Sequence, residues 1–152
     1  MMIDRTNELK EKDGGLQLQS ALALTIASLL ILCAARGDLW LDEIHTLAFT
    51  EYATKAWDIF TLFRNDNNHI LNTLYLYLLG PRENLYSYRL LSVSSGIGSL
   101  LLLHLLSRRH GNQEALFTLL LAGSSYPLLL YFSEARGYAP AIFFSLLAYL
   151  QL

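Results

Sequence analysis

Charge is what this sequence has least of: only 16% of its 152 residues are Asp, Glu, Lys or Arg, against about a quarter in ordinary soluble domains. That scarcity excludes a conventional solvated surface, and the mean hydropathy of +0.33 points to a membrane. Cysteine is nearly absent as well. Cys33 stands alone, so no internal disulfide or thiolate metal cluster can form, and within an apolar run it reads as a small packing hydrophobe. Acids and bases are scattered to a formal net charge of -2, which excludes a nucleic-acid surface and an acidic tail. The sequence has no GxxxxGK[ST] loop, no GxGxxG, no GxSxG elbow and no CxxC pair, so a soluble nucleotide site is not expected. It also has no internal repeat, heptad array or low-complexity tract.

Long apolar runs take the place of charge. After a polar tail, residues 1–15, the run Leu16–Ala35 carries no formal charge, and roughly 20 residues at about 1.5 Å each cross a hydrocarbon core of about 30 Å. The tail mixes Arg5, Lys10 and Lys12 with four acids, unlike the net-positive start of a cleaved signal. Further uncharged runs, Leu90–Leu106, Ala115–Phe132 and Gly137–Leu152, bring the expected spans to four, at about 16–36, 87–107, 113–132 and 136–152. The fold expected is an all-α membrane protein, and a last run that stops without a polar tail reads as the N-terminal part of a longer architecture. The basic loop Ser107–Gln113, with Arg108 and Arg109, is assigned to the cytoplasm. Alternation then puts the N-terminus inside and the loop 37–86 outside. Pro127 and Pro140 are expected to kink the third and fourth spans. Gly96, Gly98 and Gly123, with their neighbouring serines, offer faces for close helix approach.

Within the outer loop, apolar positions from Asp42 to Phe63 recur at three- and four-residue steps (Ile44, Leu47, Ala48, Trp57, Phe60), which predicts an amphipathic helix lying on the membrane. Arg64–His69 should break it. Ile70–Gly80 is too short to span and should form a re-entrant or surface helix, ended by Gly80 and Pro81.

Three polar clusters carry the candidate chemistry. WLDEIHT sets Asp42 and Glu43 side by side just past the first span. One acid is explained by helix capping, and two are suited to a general base, Asp42, with Glu43 orienting the acceptor or the base. His69, in DNNHILN, is either a loop cap or a hydrogen-bond donor to a phosphate or sugar. His45 adjoins the acid pair but lacks metal-ligand spacing. In YFSEARGY, Glu134 and Arg136 stand between two apolar runs, where charge is expensive and hence paired or functional. Arg136 has a fork suited to phosphate, and Arg89, at the start of the second span, is either a second such cation or a headgroup-snorkelling residue.

The order of these motifs, LDE, then DNNH with a short apolar helix and GP, then YRLLSVSSG, RRHGN and YFSEARGYA, resembles the membrane-integral glycosyltransferases of the C superfamily. More narrowly, it resembles the N-terminal part of the protein mannosyltransferase and aminoarabinose transferase group, whose members often read HPPL, RLPS and SQEARxY at these places. Here Ile70 and Leu71 replace the two prolines. The resemblance implies transfer of a sugar from a polyprenyl-phosphate donor to a lipid, glycan or protein acceptor, on the outer face of a bacterial inner membrane. It further implies Asp42 and Glu43 as catalytic residues and His69, Arg89, Glu134 and Arg136 as substrate-binding residues. No cofactor is demanded, and a divalent cation is the one candidate. Two other classes use the same features: a transporter of lipid-linked substrates, and a small four-span interaction or scaffold protein.

Overall fold

In the computed structural model of the chain, residues 2–61 and 68–152 are described, with side chains from residue 13 onward. Arg64–Asn67, and with them Phe63, lie outside the described residues. Helix α1 (Met2–Ala34) begins well before the apolar run. The polar tail expected ahead of the span is helical too, because its Glu, Lys, Arg, Met and Leu are good helix formers. The part long and apolar enough to cross a membrane is Asp13–Ala34.

Past α1 the chain forms three short helices at one end of the molecule, α2 (Leu41–Tyr52), α3 (Asp58–Thr61) and α4 (Ile70–Leu79). The single surface helix expected over 42–63 is therefore interrupted. At the break the Asp58 carboxylate accepts the N–H groups of Thr54 and Lys55 at 3.0 and 3.1 Å and the Thr54 hydroxyl at 2.8 Å, and this local turn competes with helix continuation. Helix α4 ends as expected, with Gly80 at φ 66°, a left-handed conformation that glycine adopts without strain. The exposed side chains of this layer include Trp40, Leu41, Ile44, Tyr52, Trp57 and Phe60, the composition of a membrane-interface belt.

Helix α5 (Tyr86–Arg108) is the second helix long and apolar enough to span. It packs against α1, α4, α6 (Asn112–Gly123), α7 (Tyr126–Ser133) and α8 (Tyr138–Leu150), and its small residues make that possible. A Cβ on Gly96 would lie 2.5 Å from Phe132 Cβ, and one on Gly98 would lie 2.6 Å from the Phe143 ring. Ser92 and Ser99 are completely buried on the same helix. The core gathers there: Ala27 and Ile31 from α1, Val93 and Leu100 from α5, Leu119 from α6, Phe132 from α7 and Ala139 from α8.

The third expected span is not one helix. Helices α6 and α7 meet at 71° and together make up one broken span or re-entrant element. Ser125 is extended and Pro127 falls in the first turn of α7, the one helical position where a missing N–H costs nothing. Gly123 at the break lets α6 reach α1, where its Cβ would meet Ala27 at 2.9 Å. Pro140 does not kink the fourth element, since it too sits in a first turn, that of α8. Helix α8 has 13 residues, so the described residues contain two helices long enough to cross a membrane, or three if the bent pair is one span. Among the described residues there are no strands. The chain is all-helical, and its long apolar helices are those of an integral membrane protein.

Gly96→Ala is expected to destabilise the bundle by about 1–3 kcal/mol through overpacking against Phe132, read as a lowered Tm in detergent. Gly14→Ala, where a Cβ meets nothing within 4 Å, should leave Tm unchanged or slightly raised.

Candidate functional site

Trp40 is extended and caps α2, so Glu43 falls at the third helical position, where its carboxylate reaches back to accept the Trp40 N–H at 2.7 Å. This is the carboxylate arm of a capping box. The side chain does far more than cap. Oε1 also accepts the Arg89 Nε–H at 2.9 Å and the Ala135 N–H at 2.5 Å, and Oε2 accepts Arg89 Nη2 at 2.6 Å. Arg89 gives its remaining donors to the carbonyls of Ala35, Gly37 and Asp38 at 3.0, 2.8 and 2.7 Å. Glu43 and Arg89 are 0% and 1% exposed. Burial alone would raise the Glu43 pKa, but the Arg89 hydrogen bonds and the Ala135 and Trp40 N–H groups outweigh it and hold the carboxyl below its ordinary range.

Two roles expected from the sequence are thereby revised. Glu43 has no face open to an acceptor, and Arg89 has no donor left for a phosphate. Both are consumed in holding the ends of α1, α2 and α5 and the turn after α7 together.

Asp42 is the neighbouring residue on α2 and points differently. Its side chain is 44% exposed and ion-pairs with Arg136, itself 20% exposed. Arg136 follows Ala135, the residue whose N–H binds Glu43, and its own carbonyl accepts the Ser92 hydroxyl at 2.9 Å. The Ala135 carbonyl accepts the Asn72 amide at 2.7 Å. The backbone at 135–136 is thus held from α2, α4 and α5 at once. Glu134 Oε2 approaches Arg136 Nε to 3.0 Å, but off the line of that N–H, which finds no hydrogen-bond acceptor. Burial, opposed by Arg136 and reinforced by the negative Glu43 and Asp42, leaves the Glu134 pKa raised.

His69 caps α4 against the same turn. Its ring packs edge-on to Tyr138 at 4.7 Å, and Tyr138 in turn lies 4.5 Å from Tyr131. A Cβ on Gly137 would come within 2.5 Å of His69 Cβ, so only glycine admits the histidine here. His69 Nε2 is buried without a partner. Burial first and the Arg136 charge second lower its pKa, so the imidazole is neutral near pH 7 and Nε2 is open to accept or donate one hydrogen bond.

Asp42, Glu43, His69, Arg89, Glu134 and Arg136, drawn from four separate stretches, meet at one end of the bundle. Asn72, Ser92 and Gly137 complete the frame, and sequence reading missed their roles. Of these only Gly137, inside EARGY, carried a local signal. Beside the cluster, Asp38, Trp40, Ser133 and Glu134 line a cavity of about 410 Å³. His45 is exposed and stacks edge-on to Phe49. No group of three or more His, Cys, Asp or Glu converges as metal ligands would among the described residues. Compared with protein-family models, curated proteins and solved structures, the chain finds no match.

Removing one partner of the buried pair, as in Glu43→Gln, should destabilise by about 3–5 kcal/mol. The double variant Glu43→Leu/Arg89→Met should not recover, because it leaves the carbonyls of Ala35, Gly37 and Asp38 unsatisfied. Recovery of Tm in that double variant would show the pair to be dispensable. Glu134→Gln has the opposite sign. The raised folded pKa means that ionised Glu134 opposes folding at neutral pH, and this cost vanishes as pH falls below its unfolded value. The variant should therefore exceed the parent in Tm at pH 7, with the gap closing toward pH 4.

Proposed function

We propose that this protein transfers a sugar from a polyprenyl-phosphate donor to an acceptor at the extracytoplasmic face of the membrane. The observation that carries the reading is the half-exposed Asp42–Arg136 pair, seated directly on the closed Glu43–Arg89 pair. A solvent-reachable acid and a guanidinium held in register at the end of long apolar helices provide the two groups such a transfer needs. The basic loop with Arg108 and Arg109 lies at the opposite end of α5. Its cytoplasmic retention makes the Asp42 end external.

The chemistry runs as a direct displacement. In the resting protein Arg136 neutralises Asp42. A lipid phosphate competes for the guanidinium, which binds phosphate oxygens through two parallel N–H bonds, and Asp42 is released. Asp42 then takes the proton of the acceptor hydroxyl as that oxygen bonds to the anomeric carbon. The bond from that carbon to the phosphate oxygen breaks with inversion, and the charge growing on the phosphate meets Arg136. With Arg89 saturated, Arg136 is the cation the leaving group meets. His69 Nε2, neutral and unpartnered, offers one further hydrogen bond to sugar or phosphate. Glu43 and Arg89 act by positioning Asp42 and the 135–136 turn.

The test is transfer of a radiolabelled sugar from its polyprenyl phosphate by the complete protein in vesicles, over a panel of lipid, glycan and protein acceptors. Asp42→Asn should lower turnover by about 10²–10⁴-fold while donor binding persists, and Arg136→Gln should weaken donor binding as well. If lipid-linked sugar crosses the bilayer unchanged and Asp42→Asn does not impair it, the protein is a transporter and the transferase reading fails.

A further inference from the structure

A second cavity at the same end of the bundle borders the ion cluster only through the backbone of Ala35 and Gly37, whose carbonyls Arg89 holds. It measures about 590 Å³, within the range of small-molecule sites, and lies between the end of α1 and the start of α5, lined by Leu32, Ala35, Arg36, Glu83, Asn84 and Tyr86 among others. Arg36, just past α1, and Glu83, just before α5, both line it, and both are exposed. Among the described residues neither side chain has a hydrogen-bond or ion-pair partner, and they do not pair with each other. The Asn84 amide oxygen accepts the Tyr86 N–H at 3.0 Å, which orients the side chain and leaves its NH₂ free.

Opposite charges lining one cavity without meeting are complementary to a ligand that carries both charges itself. The floor of the cavity indicates what else that ligand carries. Leu32 lies one turn below Arg36, and Leu29, Leu22 and Leu18 continue the same face of α1 at three-, four- and seven-residue steps, all three exposed. An aliphatic chain descending from the cavity would lie along this stripe, at the depth of the apolar span.

We propose that this cavity binds the headgroup of a phosphatidylethanolamine-type lipid. Arg36 and the Asn84 amide take the phosphate, Glu83 takes the primary ammonium, and one acyl chain lies along α1. A phosphate alone would leave Glu83 opposing it. A quaternary ammonium could not donate the N–H bonds that the carboxylate accepts. A soluble phosphoethanolamine would leave the leucine stripe uncovered. This site is independent of Asp42 and of sugar transfer.

Native mass spectrometry of the full chain in detergent tests it, with phosphatidylethanolamine, phosphatidylcholine, phosphatidylglycerol and phosphoethanolamine as separate probes. The ethanolamine lipid should bind at least about tenfold more tightly than each of the other three, since a charge-assisted hydrogen bond contributes about 1.5–3 kcal/mol. Arg36→Gln should weaken it by about tenfold or more, and Arg36→Lys should restore part of the loss. Glu83→Gln should abolish the preference over phosphatidylglycerol, and Lys55→Gln should change nothing. Equal binding of ethanolamine and choline lipids would overturn the proposal, leaving ordinary annular lipid. So would a preference for phosphatidylglycerol, or phosphoethanolamine binding as tightly as its lipid. These comparisons use the unaltered protein, so they stand whether or not a variant folds.

Discussion

The buried ion pair between Glu43 and Arg89 is the constraint on which the rest of this end of the molecule depends. Two charges removed from water ordinarily cost more than their attraction returns, and the pair is tolerated here because no valence is wasted. Glu43 accepts four hydrogen bonds, and Arg89 gives two to the carboxylate and three to carbonyls. Those carbonyls, of Ala35, Gly37 and Asp38, follow the end of α1. Helix ends leave carbonyls that no intrahelical N–H can satisfy, and near a bilayer water is a poor substitute. Arg89 thus does for the end of one long helix what solvent does for a soluble one. It does so from the first turn of the other long helix, fixing α1 and α5 to a common origin.

The exposed pair inherits its geometry from the buried one. Asp42 and Glu43 are consecutive on α2, and Arg136 and Ala135 are consecutive in the turn after α7. Glu43 binds the Ala135 N–H and Asp42 binds the Arg136 side chain. One helical step, about 100° of rotation, separates a carboxylate that is sealed in from one that is nearly half open. The inner acid fixes the position of the outer one, and the proposed transfer needs that precision, since a catalytic group must be held to within about 0.5 Å. The two adjacent carboxylates are therefore unlike in role because they are adjacent.

That division also marks where sequence reading succeeds and where it stops. Of the four expected spans, α1 and α5 were legible as single crossing helices because an uncharged run of about 20 residues has few alternatives, and the small-residue faces of α5 and α6 were legible because only Gly and Ser admit a Phe or Ala so closely. That Asp42 and Arg136 share one end followed from the alternation of spans, whereas their direct pairing, in place of a closed Glu134–Arg136 pair, was not legible. Which acid faces inward was not legible. On α2 the inward positions Glu43, Thr46 and Leu47 are mostly polar, while the apolar Leu41 and Ile44 face outward. Periodicity locates a stripe but does not say whether protein or lipid covers it. The bend between α6 and α7 was legible in Pro127, whereas the break at Ala53–Trp57 was hidden for another reason. It depends on a local competitor to the helix, the Asp58 carboxylate, which takes the Thr54 and Lys55 N–H groups within a stretch whose apolar residues keep helical spacing.

Charge counting ties the cluster to its environment. Asp42, Glu43 and Glu134 face Arg89 and Arg136, so three acids meet two guanidinium groups and the fully ionised set carries one surplus negative charge. Burial makes that surplus costly, and Glu134 is where the cost falls: Glu43 is held ionised by the Arg89 fork and Asp42 is partly solvated, whereas Glu134 is buried and meets Arg136 only off-axis. Its raised pKa has this physical origin. A proton on Glu134 brings the set to neutrality and leaves Arg136 with a single competing carboxylate, Asp42. Any anion approaching Arg136 then displaces one partner instead of two, and its own charge favours the protonated form of Glu134 still further. The third acid thus sets how readily the exposed pair can open.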